Sequence, residues 1–333
     1  MEDMNIKLQE LEQTIFEINC NDDFKECALH IFRYQGLNNE VYKQYIKLLK
    51  VNIDDVKSIE QIPFLPIEFF KSNQIITENY SAEIIFESSG TTGSIPSRHY
   101  VSKVDLYKES FMKGFDYFYG SPRDYCILAL LPSYLERSNS SLVFMVNDLI
   151  QASNNIESGF YLYNTQDLVQ KLNNLKEGTT KVLLIGVSYA LLDLAEEHEL
   201  NLSNVIIMET GGMKGKREEL IRNELHEFLC NSFHVSKIHS EYGMTELLSQ
   251  AYSSGDGIFR CPPWMKVMIR NINDPMSYLS NHKTGGINII DLANIYSCSF
   301  IATQDLGKIH DDNSFEILGR FDNSDLRGCN LMV

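Results

Sequence analysis

Four hydroxyl residues and two glycines fill six consecutive positions, Ser88-Ser89-Gly90-Thr91-Thr92-Gly93. Glycine lets a backbone approach an anion and aim N–H groups at it, and Ser and Thr hydroxyls add donors that carry no charge. The chemistry this composition suits is phosphate binding. It is not the G-x-x-x-x-G-K-[ST] loop, because Ser94 and not a lysine follows the second glycine. Taken alone, the run reads equally as a polar surface turn.

Three later segments carry complementary groups. In Glu209-Thr210-Gly211-Gly212-Met213-Lys214-Gly215 the paired glycines admit a flat ring or a phosphate against the backbone, although a plain strand-to-helix turn would look the same. Ser240-Glu241-Tyr242-Gly243-Met244-Thr245-Glu246 gathers an aromatic face, a hydroxyl and a carboxylate. Such a set can stack on a base and hold Mg2+ with a phosphate oxygen; the alternative is a turn entering a helix with an exposed Glu. Asp305, in Thr303-Gln304-Asp305-Leu306-Gly307, can accept both hydroxyls of a ribose, and Arg320, in Gly319-Arg320-Phe321-Asp322-Asn323, can reach ribose or phosphate. Each of these two also passes for a β-turn.

Apolar periodicity supplies the elements that must hold these segments. Residues 3–50 read as helical, with Ile6, Leu8, Leu11, Ile15 and Ile18 near helical spacing and a second amphipathic run from Val41 to Leu49. Two prolines in Ile62-Pro63-Phe64-Leu65-Pro66-Ile67-Glu68-Phe69-Phe70-Lys71 forbid one regular helix, so this stretch reads as a loop over the core. Ile84-Ile85-Phe86 reads as a strand, and Ser102 stands where it could cap a helix running to about Tyr119. Strands at 126–131, 160–162, 182–185 and 205–208 then alternate with helices at 141–150, from Thr165, at 189–199 and at 216–230. That alternation predicts an α/β fold with a largely parallel sheet and ligands at the carboxyl ends of its strands. Past Gly255, shorter apolar runs at 267–269, 286–290, 299–302 and 315–317 predict a small antiparallel β lobe. The expected organisation is a helical entry region over 1–60, an α/β core over 61–255, and the β lobe with a C-terminal segment over 256–333.

The 333 residues, 44% hydrophobic and 22% charged, suit a globular protein with a sizeable core. The 29 basic and 45 acidic residues leave a net charge of −16, which argues against broad binding of nucleic acid or anionic membrane. The acidic start Met1-Glu2-Asp3-Met4-Asn5 has no secretory signal pattern, and no uncharged apolar run reaches the ~20 residues of a transmembrane helix, so a cytoplasmic location is expected. Seven scattered cysteines without a C-x-x-C pair predict reduced thiols, with neither a disulfide framework nor a zinc site.

Together, and in this order, the four segments resemble those of the adenylate-forming superfamily of acyl and aryl CoA ligases. More closely the chain resembles the acyl-protein synthetases of the bacterial luminescence fatty acid reductase type. The likeness rests on Ile62-Pro63-Phe64-Leu65-Pro66 with Phe70-Lys71, on Ser88 to Gly93, on Glu209-Thr210-Gly211-Gly212, on Ser240 to Leu247, and on Gly319-Arg320 through Arg327-Gly328-Cys329-Asn330-Leu331. It spans residues 62–331. The resemblance implies the fold of the adenylate-forming N-terminal domain. It implies ATP and Mg2+ as cofactors, a carboxylic acid, of the fatty type by the closer resemblance, as substrate, and an acyl reductase or other acyl acceptor as partner.

By the same resemblance, Ser88, Ser89, Gly90, Thr91, Thr92 and Gly93 hold the ATP phosphates, Gly211 and Gly212 border the adenine, and Tyr242 stacks on it. Thr245 contacts the α-phosphate, Glu246 binds Mg2+, and Asp305 and Arg320 hold the ribose. The wider superfamily adds a mobile C-terminal domain bearing a lysine, and none follows Arg320 here; Lys214 or Arg98 would have to supply that charge. Cys329 is the implied acyl acceptor: a thiolate attacks an acyl adenylate readily, and Arg327 and Gly328 would favour ionisation and reach. The plain alternative is an incidental cysteine. His99 and His239 border motifs, and each reads either as a ligand to the acid or phosphate or as a hydrogen-bonded structural residue. The alternatives of function are a phenylacetate-type ligase using free coenzyme A or a carrier thiol, and a non-catalytic nucleotide-binding subunit.

Overall fold

Tyr125–Leu130, Lys181–Gly186 and Val205–Glu209 are apolar on both faces, as strands covered by helices on either side must be. In the computed structural model they pair in parallel, with Leu128 beside Leu184 and Leu184 beside Ile207. The structure describes residues 2–88, 95–132, 136–175, 178–211 and 220–321, and of residues 2–7 and 9 the backbone alone. Gly159–Phe160 and His239–Tyr242 extend the parallel part at its two sides.

Beyond His239–Tyr242 the same sheet turns antiparallel. It continues through Ala251–Ser253, Ile258–Arg260, Phe315–Arg320, Phe300–Ile309, Gly285–Asp291 and Met265–Arg270. The antiparallel strands expected past residue 255 are therefore present and hydrogen-bonded edge to edge with the parallel ones. Leu65–Pro66 adds in parallel to Phe300–Ile309, Leu65 beside Ile301, so that among the described residues twelve strands form one sheet. The stretch 62–71 is thus not the plain loop expected of it. Its prolines permit a two-residue edge strand followed by the short helix Phe69–Ser72. A second, two-stranded sheet pairs Ile84–Glu87 with Arg98–Val101.

The expected helices are present as Val104–Tyr119, Ser141–Ser153, Thr165–Leu175, Ser188–Glu197 and Arg222–Phe233. Residues 216–219, expected to open the last of these, lie outside the described residues. Ser102 does not cap Val104–Tyr119: the Val104 N–H donates to Glu83 at 2.7 Å, and the buried Ser102 hydroxyl has no hydrogen-bond partner among the described residues. Three helices, Glu2–Ile15, Asn21–Asn38 and Glu40–Leu48, open the chain, and buried amides tie the second and third to the segment between two strands of the sheet. Gln35 donates to the Asn294 and Ile295 carbonyls at 2.9 Å and accepts from the Ser299 N–H at 3.0 Å, while Asn39 donates to the Ser297 carbonyl at 2.9 Å.

Candidate active site

The parallel strands bring Leu130, Gly186, Glu209 and Tyr242 to one rim of the sheet, and several expected site residues meet there. Tyr242, buried against the edges of Phe259 and Phe315, donates its hydroxyl to Asp305 at 2.7 Å. The other Asp305 oxygen accepts from Arg320 Nε at 3.0 Å. Asp305 and Arg320 sit opposite each other in neighbouring antiparallel strands, so the sheet register makes this pair. A carboxylate offers about four lone-pair sites, and two of these internal bonds leave capacity for ribose hydroxyls.

Thr245 and Glu246 follow Tyr242 in a turn that the chain fixes from beneath. His99 lies with Nδ1 at 2.8 Å from the Thr245 carbonyl, and Asn294 Nδ2 donates to the Glu246 carbonyl at 2.8 Å. Buried Asp291 accepts from the N–H groups of Leu248 and Ser249 at 2.7 and 3.0 Å and from the Ser249 hydroxyl at 2.6 Å. Asp291 and Asn294 were not singled out by motif, although polar residues inside the apolar run 287–296 were a signal that buried backbone groups needed partners. Burial pushes the Glu246 carboxyl up, against a hydrogen bond from Ser97 that favours its charged form.

Ser97 also closes the neck of the Ser/Thr/Gly loop. The Ser88 hydroxyl accepts from the Ser97 N–H at 2.9 Å, and the Ser88 N–H donates to the Ser97 carbonyl at 3.0 Å. The base of the expected phosphate loop thus stands beside the expected metal carboxylate. Ser89, Gly90, Thr91, Thr92 and Gly93 lie outside the described residues, as do Gly212, Lys214 and Cys329. Among the described residues no three His, Cys, Asp or Glu side chains form a metal cluster. The donor set still fits Mg2+, which is commonly held by one or two carboxylates together with substrate phosphates.

Gly211, at φ +70°, takes a conformation that suits glycine, and its N–H donates to Glu209 at 2.6 Å. Burial would raise the Glu209 carboxyl, but His226, Arg222 and Ser240 outweigh it and hold it below the usual range. The neighbouring Glu241 behaves oppositely: burial, with the Glu209 charge adding to it, pushes its carboxyl up to about 8. Two adjacent carboxyls are so driven into different protonation states at neutral pH. A Cβ at Gly243 would stand 2.4 Å from Glu241 Oε1, so a larger residue there would displace that carboxyl.

Glu241, Gly243 and Thr245 line a cavity of about 170 Å3 at this rim, together with Thr210, Glu87 and Arg137. Tyr107, Leu142, Met145 and Met244 supply its apolar wall. Arg98, one of the two cations considered for a charge facing the phosphates, is paired with Glu87 at 3.0 Å. His239 is engaged by the Tyr119 hydroxyl at 3.1 Å, and burial lowers it to about 4.

The crystal structure of 2-hydroxyisobutyryl-CoA ligase in complex with 2-HIB-AMP and CoA superposes with a TM-score of 0.66 at 14% identity, covering 91% of this chain and 69% of that one. ATP-bound MatB from Rhodopseudomonas palustris gives a TM-score of 0.54 at 19% identity, covering 71% of this chain and 47% of that one. The chain thus spans about half the length of MatB, and at these identities the likeness establishes the fold. No curated protein matches. The family description "Acyl-protein synthetase, LuxE" matches residues 12–333, nearly the whole chain. With its family model covering nearly all of it, the chain belongs to the LuxE acyl-protein synthetase family.

Proposed function

We propose that the protein activates a carboxylic acid, fatty by family analogy, with ATP and then carries the acyl group on Cys329 for delivery to an acyl reductase or another acceptor. In the first step a carboxylate oxygen bonds to the α-phosphorus of ATP and the bond to pyrophosphate breaks. In the second the Cys329 thiolate attacks the acyl carbon and AMP leaves. The observation that carries this reading is the meeting of the Ser88–Ser97 loop neck, the Thr245–Glu246 turn and the Tyr242–Asp305–Arg320 cluster at one rim of the sheet.

Each group has a task suited to its surroundings. Glu246 and the phosphates would hold Mg2+, which when bound neutralises phosphate charge. Thr245, fixed through its carbonyl by His99, presents its hydroxyl at the α-phosphate. Asp305 and Arg320 orient the ribose, and Tyr242 braces Asp305. Among the described cysteines, Cys27, Cys261 and Cys298 are raised to about 12 by burial and are poor nucleophiles, which favours a thiol elsewhere. No helix among the described residues is long and apolar enough to cross a membrane. Residence in the cytoplasm belongs to this proposal.

Cys329→Ser tests the assignment. Acid-dependent ATP/pyrophosphate exchange should persist while thioester labelling of the protein disappears; persistence of the label removes Cys329 from the mechanism. The fold shared with a structure holding CoA favours one second reading, transfer to free coenzyme A, which product analysis in the presence of CoA separates from the first.

A further inference from the structure

We propose that Arg137 is the residue that binds the carboxylate of the acid substrate, an assignment that rests on the acid-activating function above. Arg137 lines the cavity that also holds Thr245, Glu241 and Gly243. The other arginines near this rim are engaged: Arg98 by Glu87 at 3.0 Å, Arg320 by Asp305 at 3.0 Å and Arg222 by Glu209 at 3.6 Å. Arg137 has no ion-pair partner among the described residues, in a chain whose acidic groups outnumber its basic ones.

The acids beside it do not cancel its charge. Glu87 is held by Arg98 and by Asn139 Nδ2 at 2.9 Å. Glu241 is buried and keeps its proton to about pH 8, so it offers a donor to an incoming anion where an ionised neighbour would repel one. The guanidinium is a planar fork whose geometry matches a carboxylate bidentately.

Position decides which anion it receives. Arg137 precedes the helix Ser141–Ser153, whose N-terminus is capped by the Ser140 hydroxyl accepting from the Val143 N–H at 3.4 Å. The first turns of that helix contribute Leu142 and Met145 to the apolar wall of the cavity. A cation, a helix N-terminus and an apolar wall on one segment suit an acid whose carboxylate meets Arg137 and whose first carbons lie against Leu142 and Met145. The base of the Ser88–Ser97 loop meets the same segment, the Glu87 N–H donating to the Asn139 carbonyl at 2.8 Å, so the apolar wall is what distinguishes an acid from a phosphate here.

The test is acid-dependent ATP/pyrophosphate exchange by the full chain and by Arg137→Gln and Arg137→Lys, with ATP binding followed by calorimetry. Loss of a charge-assisted pair predicts a KM for the acid raised about 10- to 100-fold in Arg137→Gln, with partial recovery in Arg137→Lys and an unchanged Kd for ATP. An unchanged acid KM overturns the assignment, and so does a rise confined to the ATP Kd, which would make Arg137 a phosphate ligand. Should either variant fail to fold, competition in the unsubstituted protein decides: the primary alcohol of the same chain should bind about 10- to 100-fold more weakly than the acid, and equal binding excludes an anion subsite. Absence of exchange by the unsubstituted protein with any acid would defeat the function itself, a different result from either.

Discussion

His99 Nε2 lies 2.9 Å from Asn294 Oδ1, although 195 residues of chain separate the two. The Asn294 amide is oriented by its other bond, Nδ2 donating to the Glu246 carbonyl, so oxygen faces the ring. The second ring nitrogen faces another oxygen, the Thr245 carbonyl. A neutral imidazole donates only once, so a charged ring would serve both contacts, yet burial lowers His99 to about 4. The pair holds the turn bearing Thr245 and Glu246 at the cost of one poorly matched contact.

Removing this ring should be costly to stability and to chemistry together. His99→Ala leaves bare the one acceptor, on Asn294 or Thr245, that the neutral ring serves, at about 1–3 kcal/mol where that buried group finds no water. Denaturant unfolding should show the loss, and exchange activity should fall further than stability alone explains because the turn shifts. Full activity in a destabilised variant would reduce His99 to a packing residue.

Falling and rising pH should weaken the fold through different groups. The native state resists protonating His99 until about pH 4 against an ordinary 6.5, so its contribution is complete above 6.5 and is lost as the pH falls through that window. Glu241 runs the other way: holding a proton to about 8 against an ordinary 4.5, it contributes stability below 4.5 that is lost as the pH rises to about 8. Thermal unfolding of Glu241→Gln across pH should therefore lack the decline between pH 4.5 and about 8. A decline identical in the two proteins would assign it to another group.

Asp305 ties an aromatic hydroxyl and an exposed arginine to one point, and its substitution should separate ligand binding from folding. Asp305→Asn keeps an acceptor for Tyr242 but surrenders the charge facing Arg320. The Arg320 side chain is 74% exposed, so solvent screens that pair and little stability should be lost. ATP binding measured by calorimetry should weaken about 10-fold or more through the ribose. Unaltered ATP affinity would remove Asp305 from the nucleotide site.

The cavity also bears on the acid. Its volume of about 170 Å3 is close to that of a cavity of ~150 Å3 known to hold benzene, so only the first several carbons of a chain can be enclosed. In a series of saturated acids, affinity should rise about fourfold per methylene while the chain fills the cavity and level off beyond it. A rise sustained to long chains would mean that the acyl group extends along a further apolar surface.

The parallel sheet was legible because both-face burial leaves unbroken apolar runs such as Cys126 to Leu131. The motifs at its carboxyl ends were legible because their residue types are chemically unusual together. Leu65–Pro66 was not, since two prolines hide an edge strand whose partner lies more than two hundred residues away. Asp291, Asn294 and Arg137 were missed for a related reason: their work is to satisfy backbone groups or to face a cavity, and only three-dimensional proximity reveals it. Glu241 stood in the recognised motif, but the burial that sets its protonation is invisible in sequence.

The attachment of Gln35 to residues 294–299 also bears on how the protein is made. A helix near the start of the chain cannot satisfy that buried amide until a segment some 264 positions later has emerged. At the usual pace of synthesis this is a wait on the order of 10–50 s. During that time the nascent N-terminal helices and the edge at Leu65 lack their final partners, and the rim that bears the candidate site cannot close. Folding of the functional site is thus a late event of translation, and a chain interrupted before residue 300 would present its unpaired apolar faces to chaperones and proteases.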